Sequence, residues 1–152
     1  MKILIILAVL AGCIFLISCF SPKVNFAEDP IDGIKFTRVS WREAVAQAKK
    51  ENKPIFLDIY ASWCGPCKRL KASTFASKKV GDFYNENFIN IAIDGEKGEG
   101  PMIASEFNIK SYPTLIFLNN DGKIIYKTAG FQDENDFLLL GQNVFAETLN
   151  RN

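Results

Sequence analysis

Apolar and polar positions follow one another along this chain in a pattern that predicts a layered α/β fold. From residue 34 onward, stretches with one apolar helical face separate short apolar runs that are typical of buried strands. The predicted strands lie near residues 35–38, 54–60, 88–93, 114–118 and 123–126, and the predicted helices lie near residues 41–50, 64–71, 77–85, 101–107 and 134–149. The pattern therefore predicts a single domain without internal repeats.

Local sequence signals support these boundaries and suggest how the strands pair. Ser40 and Glu43 have the spacing of a capping box at a helix start, and residues 119–122 read Asn-Asn-Asp-Gly, which is typical of a β-hairpin. Because helices separate the other strands, we expect parallel pairing with right-handed crossovers, and an antiparallel strand at the hairpin edge. The expected fold class is α/β, with a central mixed β-sheet flanked by helices on both faces.

The first eighteen residues have the pattern of an export signal. Lys2 precedes an unbroken apolar or small run over residues 3–17, which is shorter than the roughly 20 residues of a membrane-spanning helix. The run ends in Leu-Ile-Ser before Cys19 and resembles the bacterial lipobox, which directs cleavage before a lipidated cysteine. A similar sequence precedes Cys13, but cleavage there would use a very short signal. An uncleaved anchor and an ordinary signal peptide are the alternatives to lipidation at Cys19.

These features divide the chain into three parts. Residues 1–18 form a signal peptide of the lipoprotein type, and residues 19–33 form a tether that lacks apolar periodicity and carries two prolines. Residues 34–152 form the folded domain. We therefore expect an exported, membrane-anchored lipoprotein that faces the periplasm.

Charge and composition narrow the classes of function. The chain has 18 Lys and Arg against 17 Asp and Glu, without the basic surplus that nucleic-acid binding proteins usually show. It has no histidine, which excludes imidazole bases, Ser-His-Asp triads and metal sites that contain histidine. Two of the four cysteines, Cys13 and Cys19, lie before the folded domain. The domain itself therefore carries only Cys64 and Cys67, too few for a disulfide-stapled scaffold.

The sequence Cys64-Gly65-Pro66-Cys67 directly follows a predicted buried strand and opens a helix. Unpaired N–H groups and the positive dipole end at a helix N-terminus stabilise a thiolate, and the spacing lets both sulfurs meet in the first turn. We expect Cys64, at an exposed tip, to be the nucleophile and the more buried Cys67 to resolve the mixed disulfide. A zinc site would need further ligands, and a purely structural disulfide would close too short a loop to stabilise much.

Asp58 stands alone in the middle of an apolar strand, six residues before Cys64. Burial of an unpaired carboxyl group raises its pKa, so this side chain is suited to accept a proton from Cys67 through water. The alternative is that strand alternation turns Asp58 to the surface. We favour the buried position because Phe56 and Tyr60, on the same strand face, are apolar.

Three motifs occur in an order and spacing that are far more specific than the cysteine pair alone. They are residues 58–68 around the cysteines, the Tyr-Pro-Thr-Leu-Ile-Phe sequence at 112–117, and Gly130 after the hairpin. Together they resemble the thioredoxin family over residues from about 34 to 150. Residues 53–64, with Thr-Phe at 74–75, are also similar to the thioredoxin-like C-terminal domain of bacterial thiol-disulfide interchange reductases.

The resemblance implies a role for each motif residue. Cys64 would be the attacking thiol, Cys67 the resolving thiol and Asp58 the buried acid. Pro113 would be a cis-proline packed against the disulfide, although a proline that opens a strand is usually trans. The backbone of Tyr112 would pair with an extended substrate segment. The implied docking groove is lined by Trp63, Gly65, Pro66, Tyr112 and Gly130, and the implied redox-tuning residues are Gly65, Pro66 and Pro113.

Two departures from the family pattern stand out. Asn90 occupies the position at which thioredoxins often carry a lysine that faces the buried acid, so Asp58 lacks that stabilising charge. The polar loop at 95–100, which we expect to be flexible, is also longer than the family usually has.

The resemblance and the leader together predict a membrane-tethered protein-disulfide reductase. Its partners would be protein disulfide substrates and a membrane reductant that recharges the cysteine pair, and its Gly65-Pro66 dipeptide is the one that reducing thioredoxins carry. We expect a monomer with no metal and no cofactor beyond the Cys64–Cys67 disulfide. A disulfide oxidase or isomerase, and a non-catalytic interaction protein, are the alternatives.

Overall fold

The computed structural model describes Asp29 and residues 31–151, so the predicted signal peptide, Cys13, Cys19 and most of the predicted tether lie outside the described residues. The described elements are α1 (Trp41–Glu51), β1 (Ile55–Tyr60), α2 (Gly65–Ala72), α3 (Lys78–Asn87), β2 (Ile89–Asp94), α4 (Gly100–Glu106), β3 (Thr114–Leu118), β4 (Ile124–Ala129) and α5 (Glu134–Arg151). None of the helices in this part of the chain combines the length and the apolar character that crossing a bilayer requires.

Helix α1 shows how the local sequence sets an element's limits. The Ser40 hydroxyl accepts a hydrogen bond from the Glu43 N–H at 3.3 Å, and the Glu43 carboxylate accepts one from the Ser40 N–H at 2.9 Å. This is the predicted capping box. The helix ends at Asn52, which takes the left-handed conformation with φ of 50° and donates its N–H to the last carbonyl groups.

The four strands form one mixed sheet in the order β2-β1-β3-β4. β1 pairs in parallel with β2 and antiparallel with β3, and β3 pairs antiparallel with β4. The mixed sheet is confirmed, but the expected parallel pairing is wrong for β3. The intervening α4 has seven residues and is about 10 Å long, so it does not carry the chain back along strands of about 20 Å.

The segment around residues 35–38, predicted as a strand, has no regular secondary structure and does not belong to the sheet. The Ile34 N–H donates to the Phe75 carbonyl at 2.8 Å, and the Thr37 N–H donates to the Asn90 carbonyl at 2.7 Å. These two bonds, to different parts of the chain, take the place of a strand ladder. The strand prediction was therefore wrong, although the segment does run beside β2.

Helices cover both faces of the sheet, as predicted. Helices α1 and α4 pack on a face built mainly from isoleucine and leucine, whereas α3 and α5 pack on a face rich in aromatic rings. The buried rings of that aromatic face are Phe36, Phe56, Phe75, Tyr84, Phe88, Phe117 and Phe137. Strands β1, β2 and β3 thus send alternate side chains into two different cores.

Phe56 lies at the centre of the aromatic core, with its ring centroid 5.2 Å from those of Tyr84, Phe117 and Phe137. We expect Phe56→Ala to lower the free energy of unfolding by about 3–5 kcal/mol, because it removes a buried ring and leaves a cavity. Leu139→Ala, at a position that is 56% exposed, should change it by about 0.5 kcal/mol or less. Urea unfolding measures both, and equal effects would contradict the assigned core.

Candidate active site

Three segments meet at one end of the sheet. β1 and β2 end side by side at Tyr60 and Asp94, and β3 begins at Thr114 opposite Ile59. The loops that follow or precede these ends carry the cysteine pair, residues 95–99 and Pro113. The predicted motif residues are therefore brought together by the order and direction of the strands.

The cysteine pair opens helix α2. Cys64 and Cys67 form a disulfide with a Cα–Cα distance of 5.3 Å. Cys64 is the N-cap residue, and its Sγ accepts a hydrogen bond from the Cys67 N–H at 3.1 Å. Pro66 lies in the first turn of the helix, where its missing N–H leaves no bond unmade. The N–H contact and the helix dipole both favour negative charge on the Cys64 sulfur after reduction.

Both cysteines are buried, and the expected difference in their exposure is wrong. Cys64 is 2% exposed and Cys67 is 7% exposed, so Cys64 is not at an exposed tip and Cys67 is not the more buried of the two. The reason is that Tyr60, Ala61 and Tyr112 pack around the pair. The distinction between the two thiols therefore rests on helix position and not on exposure.

Asp58 is buried, as expected, with 6% of its surface exposed. Its neighbours across the sheet are Ala92 in β2 and Leu115 in β3, and its Oδ1 has no hydrogen-bond partner. Burial raises the pKa of Asp58 from 3.8 to about 7. The alternative of a surface position is thus wrong, and the carboxyl group titrates close to neutral pH.

Asn90 does not supply the charge that a lysine would. Its register partner is Phe56, and its side-chain N–H₂ group donates to the Tyr84 carbonyl at 3.2 Å and to Asn85 Oδ1 at 3.3 Å. The described residues place no cation within ion-pair distance of Asp58. Nothing in this part of the chain therefore offsets the cost of ionising the buried acid.

The loop before β3 carries the predicted proline. The peptide bond between Tyr112 and Pro113 is cis, in agreement with the resemblance. The Gly130 N–H donates to the Pro113 carbonyl at 2.9 Å, and Gly130 has φ of 98°, a conformation that favours glycine. The Thr114 hydroxyl also donates to the Ser111 carbonyl at 2.7 Å. These bonds join Gly130 to the loop that faces the cysteines.

Trp63 and Tyr112 form an aromatic pair beside the disulfide. Their ring centroids are 6.2 Å apart with an edge-to-face angle of 76°, and Trp63 is 66% exposed. The Trp63 indole N–H donates to the Glu96 carboxylate at 2.9 Å. Burial raises the pKa of the Tyr112 phenol, and the charges of Glu96 and Asp94 raise it further. Sequence reasoning missed Glu96.

The polar loop between β2 and α4 is attached to its surroundings at several points. The Lys97 ammonium donates to the Ser62 hydroxyl at 3.0 Å and pairs with Asp94 at 3.2 Å. Glu99 accepts a hydrogen bond from the Trp41 N–H at 2.7 Å. The sequence showed the length and polarity of this loop, but these partners come from distant parts of the chain.

A second contact that the sequence did not show lies after β4. The Arg69 guanidinium sits 3.8 Å from the centre of the Phe131 ring, and the Thr74 hydroxyl donates to the Gln132 carbonyl at 2.7 Å. These contacts join α2, which carries Cys67, to the segment that follows Gly130. Within the described part of the chain, no three His, Cys, Asp or Glu side chains cluster as a metal site would require.

Comparison with known proteins agrees with this geometry. The profile of a family described as thioredoxin-like domain matches residues 41–145, which is more than half of the chain. The chain belongs to the thioredoxin-like domain family. The resemblance drawn from the sequence motifs is thus confirmed, and the chain combines this family's fold with a disulfide between Cys64 and Cys67.

The curated relatives include a protein that this chain matches over most of its length and a much longer protein that it matches only in part. The thiol:disulfide interchange protein DsbD of Yersinia pestis is 32% identical over 104 residues, which are 66% of this chain but only 18% of that protein. The thioredoxin of Mycoplasmoides gallisepticum is 36% identical over 90 residues, which are 59% of this chain and 83% of that protein. This thioredoxin-like chain therefore spans less than a fifth of the length of its DsbD relative.

Solved structures show the same fold. A candidate disulphide-isomerase from Bacteroides thetaiotaomicron is 38% identical with a TM-score of 0.65, and the match covers 76% of this chain and 97% of that one. The oxidised C-terminal domain of DsbD from Neisseria meningitidis is 25% identical with a TM-score of 0.59, covering 72% of this chain and 97% of that one. The thioredoxin-like fold is confirmed by both.

The raised pKa of Asp58 makes stability depend on pH. Between pH 3.8 and about 7 the folded protein binds a proton at Asp58 that the unfolded chain has lost, so the free energy of unfolding falls as the pH rises through this range. Asp58→Asn removes this titration. We expect the variant to be more stable than the wild type above about pH 8, by up to about 4 kcal/mol, with the difference shrinking towards about pH 4.

Urea unfolding of the oxidised proteins between about pH 4 and pH 9 measures this effect. Glu106→Gln changes an exposed carboxyl group and should follow the wild-type profile. The same pH slope in the wild type and in Asp58→Asn would contradict the assigned burial.

Proposed function

We propose that this domain reduces disulfide bonds of exported proteins through a Cys64/Cys67 dithiol-disulfide cycle on the extracytoplasmic side of the membrane. The observation that carries the proposal is the place of Cys64 at the start of α2, bonded to Cys67 and 3.1 Å from the Cys67 N–H. Family membership supports the exchange chemistry, and the leader sequence supports export.

The cycle balances as two successive thiol-disulfide exchanges. The Cys64 thiolate attacks one sulfur of the substrate disulfide, whose S–S bond breaks and releases the other sulfur as a thiolate that takes a proton from water. Cys67 then loses its proton and attacks the Cys64 sulfur, which releases the second substrate thiolate. The substrate gains two electrons, and the protein loses two as its own disulfide forms.

Asp58 is the proposed acceptor of the Cys67 proton, through water. A pKa of about 7 suits this role, because the carboxyl group can take up and release a proton near neutral pH. The chain has no histidine to do so. Because position 90 carries asparagine and not lysine, it does not lower the pKa of Asp58. The Asp58 carboxylate is therefore a stronger proton acceptor than one with a compensating charge.

The proposed docking groove lies around the exposed surface next to the cysteines. Trp63, Gly65 and Pro66 are exposed, and Tyr112 is half-buried against the cysteine pair. We propose that an extended substrate segment pairs with the backbone at Tyr112, in the manner of an added strand. Gly130, which hydrogen-bonds to Pro113, would close the other side of this groove.

The direction of electron flow and the cellular location are part of the proposal. The Gly65-Pro66 dipeptide supports reduction, and the Leu-Ile-Ser-Cys sequence that ends at Cys19 supports a lipid anchor that faces the periplasm. An exported dithiol has no direct access to cytosolic reductant, so a membrane thiol-disulfide donor must return electrons to the pair. We propose a monomer that uses no metal and no further cofactor.

Disulfide isomerisation is the second candidate function. The structure from Bacteroides thetaiotaomicron, a candidate disulphide-isomerase that is 38% identical to this chain, favours it. Both functions start with attack by Cys64, but an isomerase releases its substrate without a net change in oxidation state. The reduction potential and the behaviour of Cys67 variants distinguish the two.

Removal of each thiol should have a different consequence. Cys64→Ser should lower the rate of insulin disulfide reduction to that of the uncatalysed reaction, because the attacking sulfur is lost. Cys67→Ser should still react once and accumulate a mixed disulfide through Cys64, which mass spectrometry under non-reducing conditions detects. Catalysis by Cys64→Ser at the wild-type rate would contradict the mechanism.

The reduction potential of the pair tests the proposed direction. We expect a value of about −200 mV or lower, nearer to about −270 mV for thioredoxin than to about −120 mV for the oxidase DsbA. Equilibration of the protein with glutathione and dithiothreitol buffers, followed by quantification of the free thiols, gives this value. A potential close to that of DsbA would favour the oxidase alternative instead.

A further inference from the structure

Glu96 is an acidic residue with an unusual combination of contacts. Its carboxylate accepts the hydrogen bond of the Trp63 indole N–H at 2.9 Å. It forms no ion pair with any of the described residues. The neighbouring cation, Lys97, is directed instead to Asp94 and to Ser62. The negative charge of Glu96 is therefore left beside an exposed aromatic ring.

The loop that carries Glu96 is held against the site. A Cβ atom at Gly95 would lie 2.6 Å from the Tyr112 hydroxyl oxygen, so the loop backbone packs closely against the Tyr112 ring, and a larger residue at position 95 would require that ring to shift. Lys97 and Glu99 attach the same loop to Ser62 and to the start of α1. These contacts give the Glu96 carboxylate a defined position.

Trp63 lies on the route to the reacting sulfur. It directly precedes Cys64, which is only 2% exposed, and its own side chain is 66% exposed. A substrate that reaches Cys64 therefore comes close to Trp63, and to Tyr112, which packs against the cysteine pair. A free exposed indole would rotate between several conformations, whereas this one is held by Glu96 on its N–H and by Tyr112 on its ring.

Charges of both signs lie around the cysteines, including Lys68 directly after Cys67. The loop after β2, at one edge, carries three carboxylates and one ammonium over residues 94–99. Arg69 of α2 lies against Phe131, which follows β4 at the other edge. A substrate side chain next to Trp63 thus lies close to the Glu96 carboxylate, which forms no ion pair with the described residues.

We propose that Glu96 is a positioning and specificity-determining residue of the disulfide exchange, an inference that rests on the proposed function. It orients Trp63 beside Cys64, and its charge selects substrate segments that carry lysine or arginine near their reacting cysteine. The two roles are separable. A glutamine at this position keeps an oxygen that accepts the indole N–H and removes the charge, whereas an alanine removes both.

The test uses the full-length protein, reduced beforehand, with three short peptides oxidised to symmetric disulfide dimers. The peptides differ only in the residues next to the cysteine, which are lysine, glutamate or glutamine. Second-order rate constants are measured for the wild type, Glu96→Gln and Glu96→Ala. Glu86→Gln is the matched control, because it removes one exposed carboxylate beside Pro54, at the opposite end of β1.

We expect the wild type to react faster with the lysine peptide than with the glutamate peptide. Glu96→Gln should lower this ratio by about two- to fivefold, and Glu86→Gln should leave it unchanged. Salt at about 0.5 M should lower the wild-type ratio as well, because exposed charges are screened. Glu96→Ala should in addition react more slowly than Glu96→Gln with the uncharged glutamine peptide.

A spectroscopic measurement tests the positioning role directly. The chain has two tryptophans, so Trp63→Phe assigns the two indole N–H resonances in an NMR spectrum. Glu96→Ala should shift the Trp63 resonance, whereas Glu96→Gln should keep it close to the wild-type position. Glu86→Gln should not move it.

Each negative result in these experiments would contradict a different part of the proposal. A peptide preference that is equal in the wild type and Glu96→Gln, or lowered equally by Glu86→Gln, would overturn the specificity role. An unmoved Trp63 resonance in Glu96→Ala would overturn the positioning role. Failure of the wild type to reduce any of the three peptides would overturn the proposed function and this inference together.

Discussion

The N–H group of Cys67 donates its hydrogen bond to the sulfur of Cys64, at a position where most helices place a hydroxyl or carboxylate oxygen. This contact exists because β1 ends at Tyr60 and α2 begins at Gly65, which makes Cys64 the N-cap residue. A helix that began a turn later would leave both sulfurs in an irregular loop, without an aligned N–H donor. The chemistry of the pair therefore depends on where one strand stops and the next helix starts.

The same end of the sheet contains a feature that opposes folding. Asp58 is buried between Ala92 and Leu115, no cation of the described residues lies within ion-pair distance of it, and ionisation of such a group is costly. The neighbouring Phe56 lies in a cluster of buried aromatic rings, which stabilises this part of β1 through dispersion and burial of apolar area. The strand thus combines a residue suited to proton transfer with one that holds the strand in place.

Much of the fold was predictable because its signals are local. The capping box at Ser40, the hairpin turn and the apolar runs of β1 and β3 each depend on neighbouring residues, and the structure has all of them. The direction of β3 was mispredicted, because the expectation of parallel pairing assumes a helix that spans the length of the strands, and α4 is too short to do so. The exposure of Cys64 was also mispredicted, since Tyr112, which covers it, comes from far along the chain.

The site residues show the same difference between local signals and contacts that form only in the folded chain. Cys64, Cys67 and Asp58 stand out because their residue types are unusual in their local setting. Glu96 and Arg69 look like ordinary surface charges in the sequence, and only the folded chain shows that one holds an indole and the other covers Phe131. Contacts between segments distant in sequence depend on strand order, which a single sequence does not specify for such short connections.

The antiparallel course of β3 also affects how the site is assembled during synthesis. The two cysteines are three positions apart, so they can approach each other as soon as their short segment has emerged. Tyr112 and Gly130 reach them only after the strands on either side have been made and paired. A newly made chain can therefore bring the two sulfurs together before Tyr112 has packed against them.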